Sequence, residues 1–248
     1  MTPTLAVAVR EYRIRLRNII FPLWDVLVPV VYLLIFGASF EHWIGDAAGV
    51  DYGTFFVGGV LAMVTFGIAM NSSYAFFEDL QSGIFHELLT YPFARRDLLL
   101  GKLIFNAGLS VIGAVLCIIA GVLTLNTRVI PGYLPQVLFW VLLGTAAWYF
   151  LFSWLALQLR GFNAYHTTTS AAYLLLMFVS NLFYPTSRLP GWIQWLAWAN
   201  PITWQVDLLR YHTYREPAPY LWWEAAGFLL FTVASFWLAN RKLNGTID

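Results

Sequence analysis

Residues 129–159, VIPGYLPQVLFWVLLGTAAWYFLFSWLALQL, carry no charged side chain from end to end. A helix needs about 20 apolar residues to cross the hydrocarbon core of a bilayer, so this stretch is long enough to cross once. It is continuously apolar, whereas a barrel strand alternates over about ten residues, and helix is therefore the reading. Charge-free gaps of comparable length occupy 52–77, 103–127 and 161–187. Working outward from these gaps, six segments qualify as spans: about 22–40, 54–77, 103–125, 134–157, 167–184 and 221–239. The expected fold class is an all-α integral membrane protein with six transmembrane helices, forming a single domain over 1–248.

Composition agrees. Of 248 residues, 60% are hydrophobic and 11% charged, against roughly 45–50% and about 25% in soluble domains. A net charge of +1, with the basic residues scattered among span flanks, argues against nucleic acid as a partner. The single cysteine, Cys117, lies inside an apolar run, so neither a disulfide nor a cysteine metal site forms within one chain.

Orientation follows from Lys and Arg in the connections. With the N-terminus inside, Arg10, Arg13, Arg15, Arg17, Arg95, Arg96, Lys102, Arg160, Arg241 and Lys242 fall on the inner side and Arg128, Arg188, Arg210 and Arg215 on the outer. Ten against four places both termini in the cytoplasm, and Glu41, Asp46 and Asp51 in the first outer connection agree. The arginines after a short apolar stretch do not read as a cleaved signal peptide. Within 1–21, Leu5, Val9, Tyr12, Leu16 and Ile19 recur at helical spacing with Arg10, Arg13 and Arg17 opposite and a Glu11–Arg15 pair one turn apart. That pattern predicts an interfacial amphipathic helix, the alternative being a basic flank that sets topology, with Pro22 at its junction with the first span.

Two connections stand out. In 78–97 the acids Glu78, Asp79 and Glu87 and His86 interleave with Ile84, Phe85, Leu88 and Leu89 before Pro92, which predicts a short amphipathic helix. Its apolar side packs under its own bundle or docks a cytoplasmic partner. In 185–213 the chain is apolar enough to enter the membrane, yet Pro190 and the Asn200–Pro201 step divide it into pieces too short to cross. Two half-membrane helices, near 190–199 and 202–212, solve this if the broken backbone is buried in protein or lines a wet cavity. The alternative is an interfacial aromatic cap of Trp192, Trp195, Trp198 and Trp204.

Convergent reactive groups are missing from the sequence. His42, His86, His166 and His212 are dispersed, and no nucleophile–base pair or carboxylate pair is evident. Asp25 is expected to pair with a base of the preceding helix, and Glu224 to sit at headgroup depth beside Trp222 and Trp223. Gly101–Lys102 is followed by Leu103 and has no phosphate-loop glycine before it, so any ATP is used by another chain. Aromatic and neutral polar side chains in the spans either bind neighbouring helices or line a route for amphipathic cargo.

FEDLQSGIFHELLTYPFARRDLLLGK, with Glu78, Gly83, Glu87, Pro92, Arg95 and Lys102, resembles the cytoplasmic loop of type 2 ABC exporter permeases. LFYPTSRLPGWIQWLAWANPITWQVDLLR, with Pro185, Leu189, Pro190, Trp192, Asn200, Pro201 and Arg210, resembles the segment before the last span of that family. The resemblance covers nearly the whole chain. It implies a permease subunit in the cytoplasmic (inner) membrane that binds no cofactor directly. It further implies a homodimer with two ABC ATPase subunits, which hold ATP and Mg. It implies a coupling helix between spans 2 and 3 that seats in the ATPase through Glu78, Asp79, Gly83, Phe85, Glu87, Pro92 and Arg95. Pro185, Pro190, Trp192, Asn200, Pro201 and Arg210 would build the re-entrant pair. Spans 1, 2 and 5 flank the dimer axis in that family, which would set Tyr32, Phe36, Phe40, Asn71, Tyr74, Tyr173, Met177 and Asn181 beside the cargo. The N-terminal part is more similar to the drug and lipid exporting branch than to polysaccharide exporters, the alternative branch.

Overall fold

A computed structural model describes residues 2–37, 39, 52–88, 94–186, 189–216 and 218–245. Among them the secondary structure is entirely helical: α1 (Pro3–Arg17), α2 (Ile20–Tyr32, continued by a π-helical turn Leu33–Gly37), α3 (Tyr52–Gln81), α4 (Ile84–Leu88), α5 (Arg95–Leu125), α6 (Leu134–Ala156), α7 (Phe162–Phe178), α8 (Gly191–Ala199), α9 (Pro201–Tyr214) and α10 (Leu221–Gly245). Five stretches are long and apolar enough to cross a membrane: Ile20–Gly37, Tyr52–Gln81, Arg95–Leu125, Pro131–Ala156 and Leu221–Gly245. They correspond to the first, second, third, fourth and sixth expected spans. The fifth, α7, has 17 residues and falls just short.

The bundle is built around α3, whose apolar window is 83% buried. Helix α3 packs against α2, α5, α6 and α9. Small residues let neighbours approach closely. A Cβ on Gly113 of α5 would lie 2.8 Å from Val64, and one on Gly59 would meet the Leu182 carbonyl oxygen at 2.5 Å. Aromatic rings fill the interior, with Phe66 set edge-on to Trp148 at 4.7 Å and to Phe152 at 5.2 Å. The outward faces of α2, α5 and α10 remain apolar and exposed, as at Phe21, Trp24, Leu123, Leu230 and Val233, the pattern of surfaces solvated by lipid.

Several boundaries differ from the sequence reading for identifiable reasons. Helix α5 starts eight residues before the expected 103, because Arg95, Arg96 and Asp97 form its first turn and Asp97 accepts from the Ala94 N–H at 3.0 Å. Helix α7 ends at Phe178 instead of 184. Its last carbonyls are taken up by a side chain from a later segment: Asn200 Nδ2 donates to Leu176 O at 2.7 Å and to Val179 O at 2.6 Å. The same Asn200 accepts from Ile202 N–H at 3.0 Å and so starts α9, with Pro201 at the first helical position. Pro22 falls in the first turn of α2, after the break at 18–19, where a missing N–H costs nothing.

The two pieces between 190 and 214 are unequal partners. Helix α8 buries only Ala197, and Trp192 and Trp195 are exposed. Helix α9 is driven into the bundle, with Ile202, Gln205, Val206, Leu208, Leu209 and Arg210 buried against α3, α6 and α10.

Candidate functional site

The end of the bundle where α1, α3 and α5 meet is organised by ionic groups. Lys102 of α5, 3% exposed, places Nζ 2.7 Å from Glu11 of α1 and 2.7 Å from Asp79 of α3. Arg10 adds contacts to Glu11 at 3.0 Å and to Asp79 at 3.3 Å. Two acids and two bases thus neutralise one another where three helices meet, the condition under which charges are tolerated away from water. Val7 of α1 also packs on Gly101, where a Cβ would come within 2.5 Å of the valine Cβ, so α1 is held tightly to α5. Glu11 therefore joins Lys102 and Arg10 instead of the expected Arg15. The side of α1 turned to the bundle carries Val7, Ala8 and Glu11, while Leu5, Tyr12, Leu16 and Ile19 stay exposed.

Helix α4 hangs directly from this cluster. Gly83, with φ +79°, makes the left-handed turn between α3 and α4, a conformation glycine adopts without a Cβ penalty. Phe85 is buried and meets Phe76 edge-on at 6.1 Å, whereas Ile84 and Glu87 are exposed. Of the expected coupling residues, Gly83, Phe85 and Glu87 belong to α4 and its turn, and Glu78 lies on the last turn of α3 facing Tyr74. Asp79 points into the ionic cluster. Arg95 closes the end of α10, donating to Asn244 O at 2.6 Å and Leu243 O at 3.4 Å. Pro92 lies outside the described residues.

A groove opens beside the cluster. A cavity of about 560 Å³ is lined by Arg15, Trp24, Asp25, Asn71, Tyr74 and Glu78, among others. A second, of about 200 Å³, shares Trp24, Asp25 and Asn71 and continues to Met63, Met70 and Tyr173. Asp25 accepts from Asn71 Nδ2 at 2.5 Å, and Arg15 of α1, a base of the preceding helix as the sequence reading expected, attracts it across the same cavity. The structure thus brings Asn71, Tyr74 and Tyr173 to one groove formed by α1, α2, α3 and α7. Tyr32 and Phe36 stack on each other at 5.3 Å along the first span. Met177 and Asn181 turn inward and are 2% and 4% exposed, and Phe40 lies outside the described residues.

At the opposite end, Arg210 is the anchor of α9. It donates from Nε to Phe55 O at 2.9 Å and from Nη2 to Asn181 O at 2.9 Å and Leu182 O at 3.4 Å. Its guanidinium lies 3.5 Å over the Phe55 ring, and Asp207 and Glu216 flank it at 3.8 and 4.0 Å. Gly58 makes room, since a Cβ there would stand 2.3 Å from Arg210 Cγ. Asn181 donates to Asp207 at 2.5 Å, so it is a structural amide of this anchor. Deeper in, Gln205 accepts from Trp148 Nε1 at 2.8 Å and donates to Thr65 at 2.7 Å, over Gly144. Of the expected re-entrant residues, Asn200 and Pro201 start α9, and Arg210 anchors it near its other end. Pro190 precedes α8, Trp192 is exposed on it, and Pro185 lies in the bend after α7.

Sequence reasoning paired Glu11 with Arg15 and read Lys102 as an inner-side base of the loop, and it passed over Gln205 and Asp207. Their signal is rarity: a polar or charged side chain in a chain this apolar must find a partner, and Arg10, Glu11, Asp79 and Lys102 balance only when summed across three helices. No group of three or more His, Cys, Asp or Glu residues placed to hold a metal occurs among the described residues.

Comparison with known proteins fixes the class. The ABC-2 type transporter family matches residues 2–214, from α1 to the end of α9, and the chain belongs to that family of membrane permeases. It is 26% identical over 182 residues to the daunorubicin resistance ABC transporter permease protein DrrB1 of Streptomyces coeruleorubidus, covering 72% of this chain and 63% of that one. It is 27% identical over 193 residues to ycf38 of Cyanophora paradoxa, named as a transport permease, covering 75% of this chain and 65% of that one. The chain therefore spans just under two thirds of the length of these relatives.

Proposed function

We propose that the chain is the membrane-crossing subunit of an ATP-driven exporter, carrying an amphipathic drug-like or lipid-like cargo across the cytoplasmic membrane. A separate ABC ATPase binds ATP and Mg. The observation that carries this reading is the joining of α1, α3 and α5 through Lys102 immediately beside α4. A push on α4 moves the ends of α3 and α5 together and, through Glu11, takes α1 with them. ATP drives such a shift only through its different affinity for two states of the ATPase, and α4 is the part of this chain that senses which state is present. Exposed Glu87 and Ile84 form its outward face, while Phe85 fastens it to α3.

In the same reading α7 is a sixth crossing. Its 17 residues reach about 25 Å, and a short crossing is accommodated by local thinning or by association with another helix. Its exposed Leu174, Leu175 and Phe178 support pairing with a second permease copy. Both termini then face the cytoplasm, α1 lies at the inner interface, and α8 with α9 forms the re-entrant pair. The groove of Asn71, Tyr74 and Tyr173 is the cargo's point of entry, offering aromatic faces and amides to a molecule with apolar and polar ends. Similarity to a permease named for daunorubicin resistance supports the drug branch over glycan export.

Glu87→Arg is the direct test. The variant is expected to insert and purify normally while capturing at least about tenfold less ATPase subunit than the unaltered chain, the loss that breaking one buried or semi-buried charge contact produces. Wild-type capture together with wild-type transport would remove α4 from the docking surface.

A further inference from the structure

An open groove of about 340 Å³ runs between α1 and α5, lined by Val9, Tyr12, Ile104, Phe105, Gly108 and Ile112, among others. That volume lies within the range of small-ligand sites, about 300–1,000 Å³. Its α5 wall begins two residues after Lys102, the last charged side chain of that helix, and lies in the charge-free stretch 103–127. Ile104, Gly108 and Ile112 succeed one another at intervals of about one turn, so the wall extends about 12 Å into the part of α5 that crosses the bilayer. The floor is open at Gly108, where a Cβ would meet no atom within 4 Å. Tyr12 and Phe105 join the two walls, edge to face at 6.4 Å.

The α1 wall is basic. Val9 and Arg13 are one turn apart, and Arg17 follows Arg13 by another, so both arginines flank the strip that Val9 and Tyr12 present to the groove. Both are exposed, and neither makes a hydrogen bond or ion pair among the described residues. Arg10, by contrast, is already held by the carboxylates of Glu11 and Asp79. On the other flank of the strip the Arg15 guanidinium lies 5.9 Å over the Phe105 ring. No acid lines the groove. A guanidinium is always charged, and its planar fork binds a phosphate through two parallel hydrogen bonds. A positive rim on an apolar trough that enters hydrocarbon complements a molecule with an anion at the end of an acyl chain.

We propose that this groove seats an anionic phospholipid, with one acyl chain along Ile104, Gly108 and Ile112 and the phosphate held by Arg13 and Arg17. The seat rests on α1 lying at the membrane surface, as in the reading above. Its test uses neither ATPase nor cargo, so failure here leaves the permease reading standing.

The full chain in neutral-detergent micelles is titrated with phosphatidylglycerol and with phosphatidylcholine of the same acyl chains, and bound lipid is counted by native mass spectrometry. Phosphatidylglycerol is expected to bind saturably and at least about tenfold more tightly than phosphatidylcholine. Arg13→Gln and Arg17→Gln should each weaken phosphatidylglycerol about fivefold and leave phosphatidylcholine unchanged, while Arg241→Gln, on α10, should change neither. Gly108→Leu separates a seat from the diffuse attraction of anions to a basic helix, because it fills the trough without touching a charge. It should weaken phosphatidylglycerol at least about fivefold through lost chain packing. Equal affinity for the two lipids, unchanged phosphatidylglycerol binding when both arginines are replaced, or a Gly108→Leu chain that binds as the unaltered one does overturns the proposal. A Gly108→Leu chain that keeps its lipid but passes from dimer to monomer overturns it too, and gives the groove to a second copy.

Discussion

Replacing Lys102 by methionine is expected to destabilise the detergent-solubilised protein by about 3–5 kcal/mol, the cost of leaving buried charge uncompensated. The side chain is 3% exposed and its ammonium bridges Glu11 and Asp79 at 2.7 Å each. Methionine fills nearly the same space but leaves two buried carboxylates to share Arg10, whose side chain is 26% exposed and better solvated. Removing one acid as well should recover part of the loss. The double variant Lys102→Met, Glu11→Gln is expected to be less destabilised than the sum of its single changes, the mark of direct coupling in a mutant cycle. Unfolding titrations in mixed micelles give both numbers. Additivity within about 0.5 kcal/mol would show that the three helices are not joined through this lysine.

Arg210→Met carries a comparable effect for a different reason. The guanidinium supplies donors to three backbone carbonyls, of Phe55, Asn181 and Leu182, and lies over the Phe55 ring. Methionine leaves those carbonyls without their donors in a dry site and frees Asp207 and Glu216 from their cation, for a loss of about 3–5 kcal/mol. Arg210→Lys keeps the charge but not the planar fork, and is expected to fall between the two. The same titrations check it, and protease access to the 200–214 region should rise in step with the loss. An Arg210→Met protein as stable as the unaltered chain would mean that α9 is held by packing alone.

The crossing helices were legible because hydrocarbon excludes charge, and the gaps between charged residues mark their positions. Their ends were less so. Helix α5 begins at Arg95 because its first charged turn caps the helix, and α7 stops at Phe178 because Asn200, far along the chain, takes its carbonyls. The first cause is local but lies among charged residues that a search for charge-free stretches discards, and the second is not local. The division of 185–213 at Asn200–Pro201 was readable from the turn chemistry, but which half is buried was not. Gln205 lies on the other side of α9 from Asp207 and Arg210, so the helix shows no single polar side, and the burial of all three is readable only once Trp148, Thr65 and the carbonyls near Phe55 are brought to them. The groove was legible in part for a related reason. Asn71, Tyr74 and Tyr173 converge, whereas Met177 and Asn181 face inward, because a helix apolar on every side gives no periodic signal for its rotation.

Lys102 illustrates the same limit. Counted as a flanking base it sets topology, and placed in the structure it binds two acids from two other helices. A count of positive charges does not reveal that this one is not at the surface.

The central claim is that the chain is a gate moved by a separate ATPase. Daunorubicin, the compound in a relative's name, is a fluorescent probe for it. Inside-out vesicles carrying this chain together with its ATPase subunit are predicted to accumulate daunorubicin only when ATP and Mg are supplied, and vesicles carrying the chain alone not at all. Accumulation at the same rate by the chain alone, with or without ATP, would contradict the account.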